Sequence, residues 1–192
     1  MEVSFSEKFF GCFFEWDVVC ASRRELESAD VILTQAAGRL ADKRPGKGNM
    51  ILAHVLRRLH AVFPEKPMMP QEEVAWAAPD LPYYKVITAP GKDLPKGHST
   101  RLWNTDVVVG AQAAECRKNG WTKAIYLTLP GHHWRTALCM KHYGLTPYGM
   151  RVPATDYSDP ENIFFSLRHA YPFLFLVREF VCRILFLITG KI

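Results

Sequence analysis

Ala124-Ile-Tyr-Leu-Thr-Leu-Pro-Gly-His-His-Trp-Arg135 decides the reading of this chain. Residues 124–129 form a short, continuous apolar run with β-branched members, the pattern of a strand buried on both faces of a sheet. Pro130-Gly131 marks a tight turn. Thr136-Ala-Leu-Cys-Met-Lys-His142 reads as the helix that follows. A strand, a turn carrying two histidines and an arginine, and then a helix is how an open α/β sheet presents a site. Ligands in such sheets sit outside the carboxyl ends of the strands, close to helix N-termini.

Upstream, Asp30-Val-Ile-Leu-Thr34 is a second buried strand, leading into Gln35-Ala-Ala-Gly-Arg39, where small residues allow close backbone approach. Neither G-x-G-x-x-G nor a G-x-x-x-x-G-K-[ST] phosphate loop is present. Lys43-Arg-Pro-Gly-Lys-Gly48 reads as a basic, flexible loop able to touch a phosphate or carboxylate. Residues 49–63 are expected to be helical, with Ile51, Leu52, Val55, Leu56, Leu59 and Val62 on one stripe, Asn49 as cap and Pro64 as stop. A short strand over 66–70, a helix over 71–78 and a strand over 84–88 follow. The long polar loop 89–103 ends where Asn104 or Thr105 caps a helix that Asn119-Gly120 stops.

After the opening stretch, residues 146–152 read as a last strand. Asp159-Pro160 starts a helix, and the apolar run 171–192 reads as a further one. At the other end, Phe9, Phe10, Phe13 and Phe14 recur at helical spacing, predicting a helix over 6–27 with Ser6 as N-cap. Strands alternating with helices predict an α/β fold: a doubly wound, mostly parallel sheet of about five strands, with helices on both faces and extra N- and C-terminal helices. One domain is expected over 1–192, comprising an N-terminal helical extension (1–28), the core (29–152) and C-terminal helices (153–192).

The composition, 48% hydrophobic and 12% aromatic, excludes a disordered chain. The net charge of +5 arises from basic residues scattered in short clusters. Nucleic-acid binding usually needs a basic stripe interleaved with aromatics, so no nucleic-acid partner is expected. A small anionic ligand suits the mild excess. The five cysteines form no Cys-x-x-Cys pair, and an odd count favours a reducing, cytoplasmic setting. Glu2 and Glu7 stand where a secretory signal would be basic. Arg178, Glu179 and Arg183 interrupt the last apolar run, so no transmembrane segment is expected; their spacing leaves peripheral membrane contact through that helix open.

Three loops are expected to meet at the carboxyl edge of the sheet. They carry Gln35 to Arg39 (with Gly38), then His98, Ser99, Asn104, Thr105 and Asp106, and finally His132, His133 and Arg135. Arg135 suits a paired grip on a carboxylate or phosphate. Imidazoles suit proton transfer near neutral pH, and spacing from the strand favours His132 over His133. A zinc site built from His98, His132, His133 and Asp156 lacks any HExxH-type spacing, and a Ser99–His132–Asp triad lacks a nucleophile elbow. No metal is predicted.

Thr128-x-x-x-His132-x-x-Arg135-x-Ala137 after a buried strand resembles a segment of the YdcF/SanA/ElyC family. The Asn104-Thr105 helix start one unit upstream is similar too, and Gly38-Arg39 and Val177-Arg-Glu-Phe180 match more loosely. The resemblance implies a Rossmann-like α/β domain, largely uncharacterised, with S-adenosylmethionine as candidate cofactor. It implies a pocket lined by Asn104, Thr105, His132 and Arg135. The chain departs from the family at Gln35-Ala-Ala-Gly38, where the turn is usually glycine-rich. Lys96 and His98-Ser99 stand where an acidic residue and a serine usually precede the Asn-Thr pair, and Val108 replaces an asparagine. The resulting expectation is a soluble domain for a small anionic or nucleotide-like ligand. Gly38, Arg39, His98, Ser99, Asn104, Thr105, His133 and Arg135 would bind it, and His132 would move a proton. A non-catalytic regulatory or envelope-associated binding module and a metal-dependent hydrolase are the alternatives.

Overall fold

The computed structural model describes residues 19–36, 44–88, 105–130, 132–153, 180, 181 and 184. In chain order these contain α1 (Arg23–Ser28), β1 (Val31–Thr34), α2 (Lys47–Val62), β2 (Met68–Pro70) and α3 (Glu72–Ala77). Then come α4 (Thr105–Lys118), β3 (Lys123–Leu127), α5 (His133–His142) and β4 (Thr146–Gly149). The four strands make one sheet, ordered β2-β1-β3-β4, with every neighbouring pair parallel.

Burial explains the apolar runs. Val31 to Thr34 are fully enclosed, because alternate side chains enter two different cores. Ile32, Met68, Ile125 and Leu127 pack with Leu52, Leu56 and Leu59 of α2 on one face. Val31, Leu33, Met69, Ala124 and Tyr126 pack with Val109, Ala113 and Cys116 of α4 and with Cys139 and Met140 of α5 on the other. The protein is therefore an α/β fold, with α2 and α3 covering one face and α4 and α5 covering the other. The order sets the non-consecutive strands β1 and β3 side by side.

Several expectations need correction. The helix expected over 6–27 does not extend through 19–22; residues 1–18 lie outside the described residues. Cys20 instead bridges to Gly149, and the Ala21 N–H donates to Gly149 O at 2.9 Å. The helix begins only at Arg23. Ser22 Oγ accepts from the Glu25 N–H at 3.3 Å, and the Glu25 carboxylate accepts from the Ser22 N–H at 2.7 Å, a reciprocal cap. Asn49 is not a cap either: α2 starts two residues earlier behind Gly46, and Asn49 is enclosed in its first turn. The strand expected over 84–88 is reduced to one bridge, Gln71 with Ile87. The reason is local. β2 has three residues, and its last, Pro70, has no N–H for a ladder, although its carbonyl accepts from the Ile87 N–H at 2.9 Å. The described residues thus form four strands rather than five. β4 stops at Gly149, short of residue 152. The helix expected from Asp159 lies outside the described residues. Of the last apolar run, Phe180, Val181 and Ile184 are helical. Among the described residues no helix is long and apolar enough to cross a membrane.

The segment after α3 is fastened to α4 by charge. Lys85 Nζ meets Glu115 Oε2 at 2.7 Å, Lys118 meets the same atom at 3.1 Å, and the Tyr84 and Trp121 rings pack edge-on at 5.0 Å. Lys85, and then Lys118, hold the Glu115 carboxyl below its usual 4.5. A depressed carboxyl adds stability above its unfolded value, and that stability is lost as pH falls through its folded value. Glu115→Gln is expected to flatten the loss of Tm below about pH 5. An unchanged acid limb of the Tm–pH curve would show that the clamp carries no linkage.

Candidate functional site

The carboxyl ends of β1, β2 and β3 end in polar residues that are nevertheless buried: Thr34 and Gln35, Gln71, and Thr128. Buried polar groups persist where they are bonded. Here the bonding converges on Gln112, from the middle of α4. Its Nε2 donates to Met69 O at 2.9 Å and to Thr34 O at 3.3 Å, while its Oε1 accepts from Gln35 Nε2 at 2.6 Å. Gln71 Oε1 accepts from the Ala36 N–H at 2.9 Å, which directs the chain as it leaves β1. The Gln35 N–H donates to Leu127 O at 2.9 Å, so the exits from β1 and β3 lie side by side. The Thr34 and Thr136 hydroxyls are enclosed and make no hydrogen bond among the described residues.

After β3 the His132 N–H donates to Leu129 O at 3.1 Å, closing a turn with Pro130 second in it. His132 is the N-cap of α5, which starts at His133, three residues earlier than expected. The His132 side chain caps no backbone N–H, and the first turn holds no acidic residue. Its Nδ1 lies 2.8 Å from an Arg135 terminal nitrogen. A guanidinium can only donate, so Nδ1 is the acceptor and the imidazole carries its proton on Nε2. This contact exists only with the neutral ring. A helix N-terminus and the guanidinium of Arg135, a residue only 7% exposed, make this corner attractive to an anion.

His133 goes elsewhere. One residue around the helix turns it inward, 3% exposed, against the Tyr126 ring at 5.7 Å. The face carrying His132 and Arg135 continues through Cys139 to Tyr143 along the seam with α4. There the Tyr143 hydroxyl donates to Asp106 Oδ1 at 2.9 Å. Gly110 permits the close approach, since a Cβ there would lie 3.1 Å from that hydroxyl. Thr105 and Asp106 therefore open α4 along the same seam, further along α5 than Arg135. Burial pushes the Cys139 thiol up to about 12, with Asp106 adding to it, and pushes Cys116 equally high. Neither is suited to be a nucleophile.

Of the expected site residues, the structure joins His132 to Arg135, sets Thr105 along their seam and separates His133 from the pair. Gly38, Arg39, His98, Ser99 and Asn104 lie outside the described residues, as do two members of the zinc reading, His98 and Asp156. Among the described residues no group of three potential metal ligands comes together. Sequence reasoning missed Gln71 and the organising role of Gln112. The available signal was an amide beside Val109 and Ala113 on the stripe that α4 buries. Comparison with protein-family models, with curated proteins and with solved structures finds no match.

Proposed function

We propose that this chain is a Rossmann-like, doubly wound α/β domain that binds a small anionic, nucleotide-like molecule at the carboxyl edge of its sheet. The observation that carries the reading is the His132–Arg135 pair at the N-cap of α5. It stands beside the exits of β1 and β3, where the strand order reverses, and open α/β sheets bind ligands at such reversals. Ile87, bridged to Gln71 on the far side of β2, supports a fifth strand position. Arg135 grips the anionic group. The Nε2–H of His132 donates a hydrogen bond to it, and the ring is the proton-transfer group wherever turnover occurs, releasing Arg135 when it takes up a proton. S-adenosylmethionine is the leading candidate, with its carboxylate as the gripped group. The free thiols of Cys20, Cys116 and Cys139 support a cytoplasmic setting.

A thermal-shift panel of S-adenosylmethionine, S-adenosylhomocysteine, ATP and inorganic phosphate tests this. A ligand at a hundred times its Kd adds about 2.7 kcal/mol of stability. Arg135→Ala is expected to weaken binding at least about tenfold with the fold intact by circular dichroism. His132→Gln is expected to retain most of the binding and lose any turnover. If no member of the panel shifts the melt, the anionic pocket is wrong.

A further inference from the structure

α2 begins at the carboxyl edge of the sheet, on the face opposite α5. It runs antiparallel to β1: Lys66, just beyond its end, bonds Ala29 O, just before β1 begins. Its first turn carries no acidic residue, and its N-cap, Gly46, has no side chain to bond the first N–H groups. Arg44 and Lys47 add positive charge beside them. Gly46, Gly48 and Asn49 are buried while their neighbours Arg44, Lys47 and Met50 are exposed, so this helix start lies one layer beneath the surface. A helix start of this kind attracts anions but does not by itself make a site.

Thr34 supplies an independent observation. It is fully enclosed, and its hydroxyl has no hydrogen-bond partner among the described residues. Its direction follows from the pleat. Ile32 and Ala36, two residues to either side, both pack with the cluster that α2 covers, as does Leu127, its register partner in β3. Thr34 therefore faces α2 as they do. Its height follows from the two repeats. Two strand residues advance about 6.7 Å, which about four residues of helix match. Ile32 shares its cluster with Leu52 and Leu56, so Thr34 stands about one turn earlier, by Gly48. A buried hydroxyl without a partner costs stability. Here it is aimed at a helix start that favours negative charge. Helix amides, a hydroxyl donor and flanking cations together suit the charge and the several acceptor oxygens of a phosphoryl group.

We propose that the start of α2 binds the phosphoryl group of a small phosphate ester or of free phosphate, with the Thr34 hydroxyl donating to it. The site does not rest on the Arg135 grip, which lies across the sheet. The 15N-labelled full chain is titrated with inorganic phosphate and, separately, with ribose 5-phosphate, with chloride at matched ionic strength as control. A saturable shift of the Gly48 amide with phosphate and not with chloride is expected. Tighter binding of ribose 5-phosphate identifies an ester as the source; equal or weaker binding identifies free phosphate. Thr34→Val should weaken binding about tenfold. It should also raise the Tm of the phosphate-free protein, because valine has the same shape and needs no partner. Thr34→Ser should keep the binding, and Arg135→Ala should leave the Gly48 shift in place. A Gly48 amide that does not move, or a Thr34→Val protein with full affinity or a lowered Tm, would overturn the assignment. A shift lost in Arg135→Ala but kept in Thr34→Val would overturn it too, while leaving the α5 pocket standing.

Discussion

Gln112→Leu is expected to lower the stability of the fold by about 3 kcal/mol. Gln112 is fully enclosed and bonds three partners from two separate stretches: Gln35 and Thr34 O at the end of β1, and Met69 O in β2. Leucine matches the size but satisfies none of them. Both carbonyls keep a ladder donor, Thr34 O the Gln71 N–H at 3.1 Å and Met69 O the Thr34 N–H, so the loss falls mainly on the buried Gln35 amide. For a chain of this length that cost is roughly a 6–12 °C fall in Tm. Gln112→Glu separates hydrogen bonding from shape. An ionised carboxylate would face two carbonyl oxygens, so this glutamate must be protonated in the fold, with its pKa raised above the unfolded value. Its stability is then greatest below about pH 4 and lost as pH rises. Urea titration of both variants at pH 4 and pH 7 gives the answer. A Gln112→Leu loss under about 1 kcal/mol, or a Gln112→Glu stability independent of pH, would mean the network contributes little.

Lys66→Met is expected to cost about 2–3 kcal/mol and to release α1 from the body of the protein. Lys66 is 9% exposed. Its Nζ donates to Ala29 O at 2.6 Å and to Glu27 O at 2.9 Å, and sits 5.3 Å from the centre of the Phe63 ring. The exposed Glu65, at 3.9 Å, contributes little by comparison. The bonds fall at the C-terminal end of α1, where a cation also meets the negative end of the helix dipole. α1 buries none of its own residues, so it depends on this anchor more than a core helix would. Methionine keeps the stem packed and removes the donors. Hydrogen exchange should show protection lost first in α1 while β1 and β3 stay protected. Unchanged protection in α1 would show that Lys66 is only packing.

β1 and β3 were legible in the sequence because a strand enclosed on both faces must be apolar throughout, and a run of that kind has few other uses. The end of α4 at Asn119-Gly120 was equally plain: Gly120 adopts φ +71°, and the Trp121 N–H returns to Cys116 O at 3.0 Å. The N-terminal stretch misled because its aromatic stripe outweighed Ser22-Arg-Arg-Glu25, a capping signature that marks a fresh helix start. The strand over 84–88 misled because its own composition favoured pairing while its neighbour ended in proline. For the candidate site, Arg135 and His132 could be picked out by their spacing from the strand, but their direct contact could not.

The sequence by itself determined that the chain alternates strands with helices, that β1 and β3 are interior, and that polar chemistry follows β3. These are local properties: the periodicity of burial and the residues that start and stop an element are written within a few positions of each other. Only the tertiary structure decided that His132 meets Arg135 while His133 turns to Tyr126, because the outcome depends on the residue at which α5 begins. It alone joined Gln112 to Gln35 across 77 positions, and Cys20 to the edge of β4. Apolar periodicity records that a face is covered. It carries no record of which distant segment covers it, and that choice is made by backbone donors and acceptors that every residue but proline has in common.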